Sequence, residues 1–182
     1  MKVEKLEIKI KVPEEIEIKL DSGLLGVKGP KGESDRNFKD PRIEISLKEG
    51  MVILRAEKAT KREAKMLRTF EAHIKNMFKG AKEGHLYKLK ICSSHFPMTV
   101  KADGKEFSVK NFLGEKIPRT VKLRENVKVK VEGEIVTIES ADKESAGQTA
   151  SDIEELTKRS GFDRRIFQDG IWLISKNGKE FK

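Results

Sequence analysis

The chain has 182 residues, a net charge of +9 and 38% charged side chains, which fit one large or two small domains. Its single cysteine excludes an intrachain disulfide framework. The sequence has no run of about 18 apolar residues, so no transmembrane helix is predicted. The first residues lack the apolar stretch of a signal peptide, so we expect a cytosolic protein, and basic, charge-dense proteins of that kind most often meet nucleic acid.

An internal repeat divides the chain. Residues 27–33 (VKGPKGE) recur as residues 109–115 (VKNFLGE), 82 positions later. A repeat of that period is too long for a solenoid and has the size of a small domain. The sequence therefore predicts two tandem domains of similar topology, at residues 1–83 and 84–182.

The first half begins with strand patterns. Apolar residues alternate through residues 6–20 on both sides of Pro13, and again at 43–47. Shorter strands are predicted at 24–28 and 51–54, and residues 29–32 (GPKG) form a turn between strands. This turn resembles the GxxG loop of KH domains, but that loop joins two helices, so we reject a KH domain.

The period then changes to that of an amphipathic helix. Thr60 and Glu63 predict a capping box at its start, and Gly80 is placed at its end. At about 100° per residue, five cations fall on one stripe of this helix. The stripe could lie along phosphates or could be a solvated face. Its members are Lys61, Lys65, Arg68, Lys75 and Lys79.

The second half repeats the plan. Strand patterns lie at 107–109, 121–131 and 135–138, and a helix follows that Ser145 and Gln148 are predicted to cap and Gly161 to end. Beyond it, two short strands around Asp169 and Gly170 and a loose tail are expected. Because each half places several strands before one helix, we expect an α+β fold in which each domain is an antiparallel sheet packed with one main helix.

Charge is distributed unevenly along the chain. Residues 58–82 carry eight basic and two acidic side chains, and residues 156–182 carry seven basic and three acidic ones. Residues 85–155 are balanced, with 12 of each sign. The second basic segment interleaves arginines with aromatic rings, a pattern that pairs with phosphates and stacks on bases. It contains Lys158, Arg159, Arg164 and Arg165 beside Phe162 and Phe167. We expect Phe167 and Trp172 to lie mostly in the core.

Two catalytic or metal alternatives are weak. Cys92 and His95 supply two possible zinc ligands, but structural zinc needs four with paired spacing. Ser94 and His95 could suggest a nucleophile and its base, but neighbours on a strand would point to opposite faces. No nucleophile elbow, Walker loop or HExxH motif is present. We therefore expect neither an enzyme nor a metal protein.

Three segments resemble one known family. Residues 165–172 (RIFQDGIW) followed by Lys176 resemble the C-terminal motif of the sixth protein of the large ribosomal subunit, in its archaeal-type form. Residues 72–77 (AHIKNM) and 27–32 are similar to that family's helix-to-linker and strand-turn segments. One departure is Trp172, where the family would have Tyr or Phe. The resemblance covers essentially the whole chain.

The resemblance implies a structural constituent of the large subunit, in the cytoplasmic ribosome, that supports subunit assembly and translation. It also implies binding of large-subunit rRNA near the sarcin-ricin loop, with neighbouring ribosomal proteins and translational GTPases close by. No cofactor, membrane or small-molecule substrate is implied. The second domain would be the main rRNA-binding domain and the stripe of the first helix secondary. The predicted RNA contacts are Lys158, Arg159, Arg164, Arg165, Lys176, Lys179, Lys110, Lys116, Lys61, Lys65 and Arg68.

One alternative from another class stays open. A non-ribosomal interaction or adaptor module could use exposed strand edges instead of cations. Salt dependence distinguishes the two, because affinity for RNA falls steeply with salt where phosphate contacts dominate.

Overall fold

The computed structural model of the protein describes residues 3–48, 50–163 and 165–181, without the side chains of Val3, Glu4 and Lys58. The chain forms two compact units, the first ending at Gly84 and the second beginning at His85. Within the described residues, neither helix is both long and apolar enough to span a membrane.

The first unit contains two antiparallel three-stranded sheets and one helix. The sheets have the strand orders β1-β6-β5 and β2-β3-β4. Helix α1 packs on β3 and β6. The elements are β1 (Val3–Lys11), β2 (Glu17–Asp21), β3 (Leu24–Gly29), β4 (Gly32–Asn37), β5 (Glu44–Lys48), β6 (Met51–Ala59) and α1 (Lys61–Glu83).

The second unit repeats this arrangement and adds a hairpin. Its sheets have the orders β11-β12-β7-β13-β14 and β10-β9-β8, again antiparallel. The elements are β7 (His85–Cys92), β8 (Thr99–Ala102), β9 (Glu106–Lys110), a 3₁₀ turn (Phe112–Gly114), β10 (Arg119–Lys122), β11 (Lys128–Glu132), β12 (Ile135–Ser140), α2 (Lys143–Leu156), β13 (Gly170–Lys176) and β14 (Lys179–Glu180).

The two units share one topology. The orders β1-β6-β5 and β2-β3-β4 of the first unit correspond to β7-β12-β11 and β8-β9-β10 of the second. The added hairpin of β13 and β14 pairs with the edge of β7 that corresponds to the outer edge of β1. The α+β fold with tandem similar units is confirmed, although each unit divides its strands between two sheets. The sequence pattern could not show this division, because alternation is the same in either sheet.

Each unit has its own hydrophobic core. In the first, Leu67 and Ile74 of α1 pack with Leu25, Val52 and Leu54 of the strands. In the second, the fully buried side chains come from both sheets and from α2. They include Leu89, Phe107, Val136, Ile138, Ile153 and Ile171.

Close approach of β3 to α1 requires glycine at position 29. A Cβ atom on Gly29 would lie 2.6 Å from the carbonyl oxygen of Ala81, which also accepts the backbone N–H of Lys31 at 3.0 Å. We expect Gly29→Ala to lower the free energy of unfolding by about 1–3 kcal/mol, as overpacking typically does. Gly26→Ala, whose Cβ would be 3.8 Å from its nearest neighbour, Lys19 O, is the control. Equal denaturation midpoints for both variants would refute the close approach.

Helix α1 begins as the sequence predicts and ends later. Thr60 and Glu63 form the capping box, which is confirmed, and Arg42 Nη1 donates to Glu63 Oε1 at 2.7 Å. The predicted end at Gly80 is wrong. Gly80 is buried within the helix, which continues to Glu83. The C-cap is Gly84, where φ is +80° and the N–H donates to Gly80 O at 2.9 Å. A positive φ is favourable for glycine, so the later glycine ends the helix.

The capping box makes stability depend on acid. Hydrogen bonds from the Thr60 side chain, Arg42 and the Thr60 backbone lower the pKa of Glu63 from 4.5 to about 2. A lowered pKa in the folded state stabilises the fold above the unfolded value, and this contribution is lost as the pH falls from about 4.5 towards 2. Thermal melting from pH 7 to 2 should therefore show Glu63→Gln below the wild type at pH 7, with the difference vanishing in acid. Glu71→Gln, which removes one carboxylate bonded to Lys75, should give a smaller difference; equal effects would contradict this assignment.

The ends of α2 differ from the prediction. Asp142, not Ser145, is the N-cap, and its carboxylate accepts the N–H groups of Glu144 at 3.2 Å and Ser145 at 2.9 Å. The helix ends at Leu156, before Gly161. Aspartate is as good an N-cap as serine, and Ser145 is already three residues inside the helix, where its hydroxyl donates to Asp142.

The C-terminal segment also departs from expectation. Residues 165–169 form turns and loop instead of a strand, and β13 begins at Gly170. The tail predicted to be loose forms β14, which pairs back with Ser175 and Lys176. The reason is that β13 pairs with β7 and so joins the larger sheet, and β14 then pairs with β13 at the edge of that sheet.

Candidate nucleic-acid interface

Three loops meet at one end of the second unit. Residues 93–98 follow β7, residues 111–119 run from the end of β9 to the first residue of β10, and residues 156–163 and 165–169 run from the last residue of α2 towards β13. We call these three segments the basic end. They meet because Cys92, the last residue of β7, pairs with Gly170, the first of β13. Side-chain hydrogen bonds then join the loops to one another.

Asp169 ties the first loop to the third. Its carboxylate, 2% exposed, accepts the N–H groups of Ser94 at 2.6 Å and His95 at 3.0 Å through Oδ1. Its Oδ2 lies 2.5 Å from His95 Nδ1. Burial raises the pKa of Asp169, but the hydrogen bonds from the His95 backbone, the His95 ring and Ser94 outweigh it and keep the pKa below its ordinary value. The carboxylate is therefore an ionised structural anchor.

Arg119 ties the second loop to the third. Its guanidinium donates to Leu156 O at 2.7 Å and Lys158 O at 3.3 Å, just where α2 ends. It also binds both carboxylate oxygens of Glu115 at 2.7 Å and lies 4.5 Å from the Phe112 ring centre. Cations are favourable at helix C-termini. Sequence reasoning missed Arg119, because it lies in the charge-balanced segment.

The second loop has an unusual backbone. Asn111, Leu113 and Gly114 have φ angles of +60°, +47° and +78°, a conformation that costs free energy for a residue such as leucine. The Asn111 side chain donates to Pro97 O at 3.0 Å, which holds this loop against the first. Such strain is tolerated where neighbouring contacts fix the loop, and it is frequent at functional sites.

A stack of side chains crosses the basic end. The Arg159 guanidinium lies 4.4 Å from the Phe162 ring centre, and Phe162 meets Phe167 edge-on at 4.8 Å. Phe167 in turn stacks on His95 at 4.7 Å with an angle of 25° between the rings. The prediction that Phe167 and Trp172 lie mostly in the core is wrong, since both are half-buried. Ile171 fills the core instead, because alternate residues of β13 face it.

The structure brings some predicted RNA contacts together at this end. Lys158, Arg159 and Lys116 are exposed within its loops, and Lys110 ends β9 next to Asn111. Arg165 is also there, with its side chain 89% exposed and ion-paired to Asp163 at 2.7 Å. This hydrogen bond lowers the pKa of the Asp163 carboxyl.

Three of the predicted RNA contacts lie away from the basic end or outside the described residues. Arg164 is outside the described residues. Lys176 ends β13, which begins at Gly170, so at about 3.3 Å per residue it lies roughly 20 Å from the basic end. Lys179, its partner in β14, is at the same distant position. These two lysines form a separate basic group.

The stripe on α1 belongs to the first unit. All five cations are exposed, and two of them pair with acids on the same helix, Lys75 with Glu71 and Lys79 with Glu83. In the described part of the chain, no ion pair engages the other three, which are Lys61, Lys65 and Arg68. These three remain available for phosphates.

Two cavities border the basic end. One, of about 20 Å³, is close to the volume that one water needs and has Phe162 and Phe167 in its lining. The other, of about 210 Å³, is lined by Ser151, Glu154, Glu155, Lys158 and Trp172, so it contains two carboxylates. No group of three or more metal-ligating side chains occurs among the described residues. Ser94 and His95 lie in a loop and not on a strand, contrary to the sequence argument, and both backbone N–H groups bind Asp169. The exposed cations and rings of this surface suit an extended polyanion.

Comparison with known proteins gives one consistent result. A family model described as ribosomal protein L6 matches residues 5–84 and 96–170, one stretch in each unit. The large ribosomal subunit protein uL6 of Methanosarcina mazei is 44% identical over 167 residues, covering 92% of this chain and 95% of the relative. The uL6 proteins of Nanoarchaeum equitans, at 43% over 188 aligned positions (98% and 97%), and Methanobrevibacter smithii, at 44% over 167 (92% and 94%), are also similar.

Proposed function

Because the chain belongs to the ribosomal protein L6 family, we propose that its basic end binds large-subunit rRNA. The family consists of structural, non-enzymatic proteins of the large subunit, which confirms the expected ribosomal role and location and the archaeal-type resemblance. The observation that supports RNA binding is the convergence of three loops through Asp169 and Arg119. It places cations and half-exposed rings on one preformed surface.

The mechanism is phosphate neutralisation by cations held in place. Lys158 and Arg159 follow a helix whose end is fixed by Arg119 through backbone carbonyls, so little loop entropy is lost when RNA binds. Arginine and lysine then replace counterions around closely spaced phosphates. Sequence reading should be minor in paired regions, because A-form RNA hides its base edges in a deep, narrow groove.

The finer location belongs to the same proposal. The resemblance of residues 165–172 supports a site near the sarcin-ricin loop, with neighbouring ribosomal proteins and translational GTPases nearby. The separate basic group of Lys176 and Lys179 would reach a second RNA segment. The second unit, which begins at His85, would be the main rRNA-binding domain.

The stripe on α1 should make a secondary contact. Replacing Lys61, Lys65 and Arg68 together by glutamine is expected to weaken rRNA binding by about tenfold, equivalent to roughly 1.4 kcal/mol, because three solvated cations contribute less than preorganised ones. Filter binding of the full chain to a large-subunit rRNA transcript measures this. Lys9, Lys11 and Lys19 changed to glutamine provide the charge-matched control on strands of the same unit. If these three changes weaken rRNA binding more than replacing Lys158 and Arg159 together by alanine, then α1 and not the basic end is the primary RNA site.

Salt titration separates this function from the adaptor alternative. The wild-type affinity for rRNA should fall by orders of magnitude between about 50 and 200 mM salt if several phosphates are contacted. Binding that is indifferent to salt would favour an interaction module that uses strand edges.

A further inference from the structure

We propose that the exposed face of His95 stacks on an unpaired base of the rRNA. The base would extend the stack that Arg159, Phe162 and Phe167 already form inside the protein. This inference rests on the proposed function and adds to it one specific contact with a base. It assigns a role to the residue that the sequence suggested only as a metal ligand or catalytic base.

The orientation of the His95 ring is fixed from two sides. One ring face stacks on Phe167 at 4.7 Å, and Nδ1 is held 2.5 Å from Asp169 Oδ2. The backbone N–H of the same residue is bound to Asp169 Oδ1 at 3.0 Å. A ring held in this way has lost its rotamer freedom before any ligand arrives.

The His95 ring keeps part of its surface accessible. The side chain of His95 remains 37% exposed although its anchor Asp169 is buried. Among the described residues, no aromatic ring or cation stacks on the second face, and Nε2 has no hydrogen-bond partner. A ring that is partly exposed, with a single stacking partner among the described residues, is thus held on a preformed loop.

The surroundings favour a base over a phosphate alone. Phe96, the next residue, is 47% exposed, and Ile166 is 66% exposed. Apolar side chains beside a flat ring suit a splayed-out base, whereas Lys158 and Arg159 suit the phosphates that flank it. Proteins that recognise RNA by stacking use unpaired nucleotides, because paired bases are already stacked.

A purely structural role for His95 would give different mutant behaviour. In His95→Asn the amide nitrogen can replace Nδ1 at Asp169, but the ring is lost. In His95→Phe the ring is kept, but Asp169 Oδ2 loses its partner. If His95 only anchors the loop, His95→Phe should be the variant that weakens RNA binding. If His95 stacks on a base, His95→Asn should be that variant.

The test measures melting temperature and affinity for an rRNA transcript that contains the sarcin-ricin loop. We expect His95→Asn to melt close to the wild type and to bind about 5- to 150-fold more weakly, the range that corresponds to roughly 1–3 kcal/mol for one stacked base. We expect His95→Phe to melt lower and to keep affinity within about threefold, at a temperature where it is folded. Ultraviolet crosslinking should join position 95 to one unpaired nucleotide in the wild type and in His95→Phe only.

The outcomes separate this inference from the proposed function. Wild-type affinity for His95→Asn, together with weak binding by Lys158→Ala with Arg159→Ala, would overturn the base contact and leave the RNA site standing. Unchanged affinity for all of these variants would overturn the RNA site itself.

Discussion

Replacing Lys158 and Arg159 together by alanine is expected to weaken binding of large-subunit rRNA about 100-fold. A charge-assisted hydrogen bond contributes roughly 1.5 kcal/mol, and two of them amount to about two factors of ten. Both side chains are exposed beside the end of α2. The fold should be unaffected, because Arg119 bonds the backbone carbonyl of Lys158 and not its side chain.

The slope of affinity against salt gives a second readout of the same variant. It should decrease by about one for each phosphate contact that is lost. Lys128→Ala with Lys130→Ala removes the same charge from exposed positions of β11 and serves as the matched control. An equal loss in both double variants would mean that net charge alone, and not this surface, determines binding.

Asp169→Ala should destabilise the second unit by about 3 kcal/mol. The change leaves two backbone N–H groups, of Ser94 and His95, and the His95 ring without their acceptor, and a buried group that loses its partner costs about 1–3 kcal/mol. Because Trp172 is the single tryptophan of the chain and lies in β13, its fluorescence reports unfolding of this unit.

Acid and a matched variant sharpen this prediction. The pKa of Asp169 is lowered in the fold, so its contribution is present above the ordinary value of 3.8 and is lost as the pH falls below it. The difference between wild type and Asp169→Ala should therefore shrink in acid. Asp163→Ala, which removes an exposed pair with Arg165, should cost much less, because exposed ion pairs contribute little to stability. Equal costs at the two positions would contradict the anchor role of Asp169.

Local signals in the sequence predict much of the fold. Strand alternation, the turn at residues 29–32 and the Thr60–Glu63 capping box all depend on neighbours within a few positions, and the structure has each of them. The strand β4 (GESDRN) could not be predicted in this way, because its half-buried positions are polar. Strand β7 carries a clear alternation, with His85, Tyr87, Leu89 and Ile91 buried, although no strand is predicted there from the sequence.

The candidate site was predictable only in part. Charge and aromatic content predict a binding segment within residues 156–182, but the bonds that assemble the surface join distant positions. Asp169 and His95 are 74 positions apart, and Arg119 and Leu156 are 37 apart. No local pattern encodes such pairs. Motif reading considered only a metal ligand or a catalytic base at His95 and rejected both, whereas its partner in space is a buried carboxylate.

The two units share one framework because the sequence is an internal repeat, and the proposed RNA site lies where the two copies differ. Both units share one strand order, but the stripe on α1 has no counterpart on α2, whose last turns carry Asp152, Glu154 and Glu155. The second unit adds β13 and β14 and the loop that precedes them. That loop completes the basic end, so the addition to the repeat supplies the proposed binding surface.

Ultraviolet crosslinking of this protein within intact large subunits tests the central claim most directly. Peptides that carry crosslinked nucleotides would be identified by mass spectrometry. The account predicts crosslinks in residues 93–98, 111–119 and 156–169, with fewer on α1. Crosslinks confined to the first unit, or none to RNA at the basic end, would contradict it.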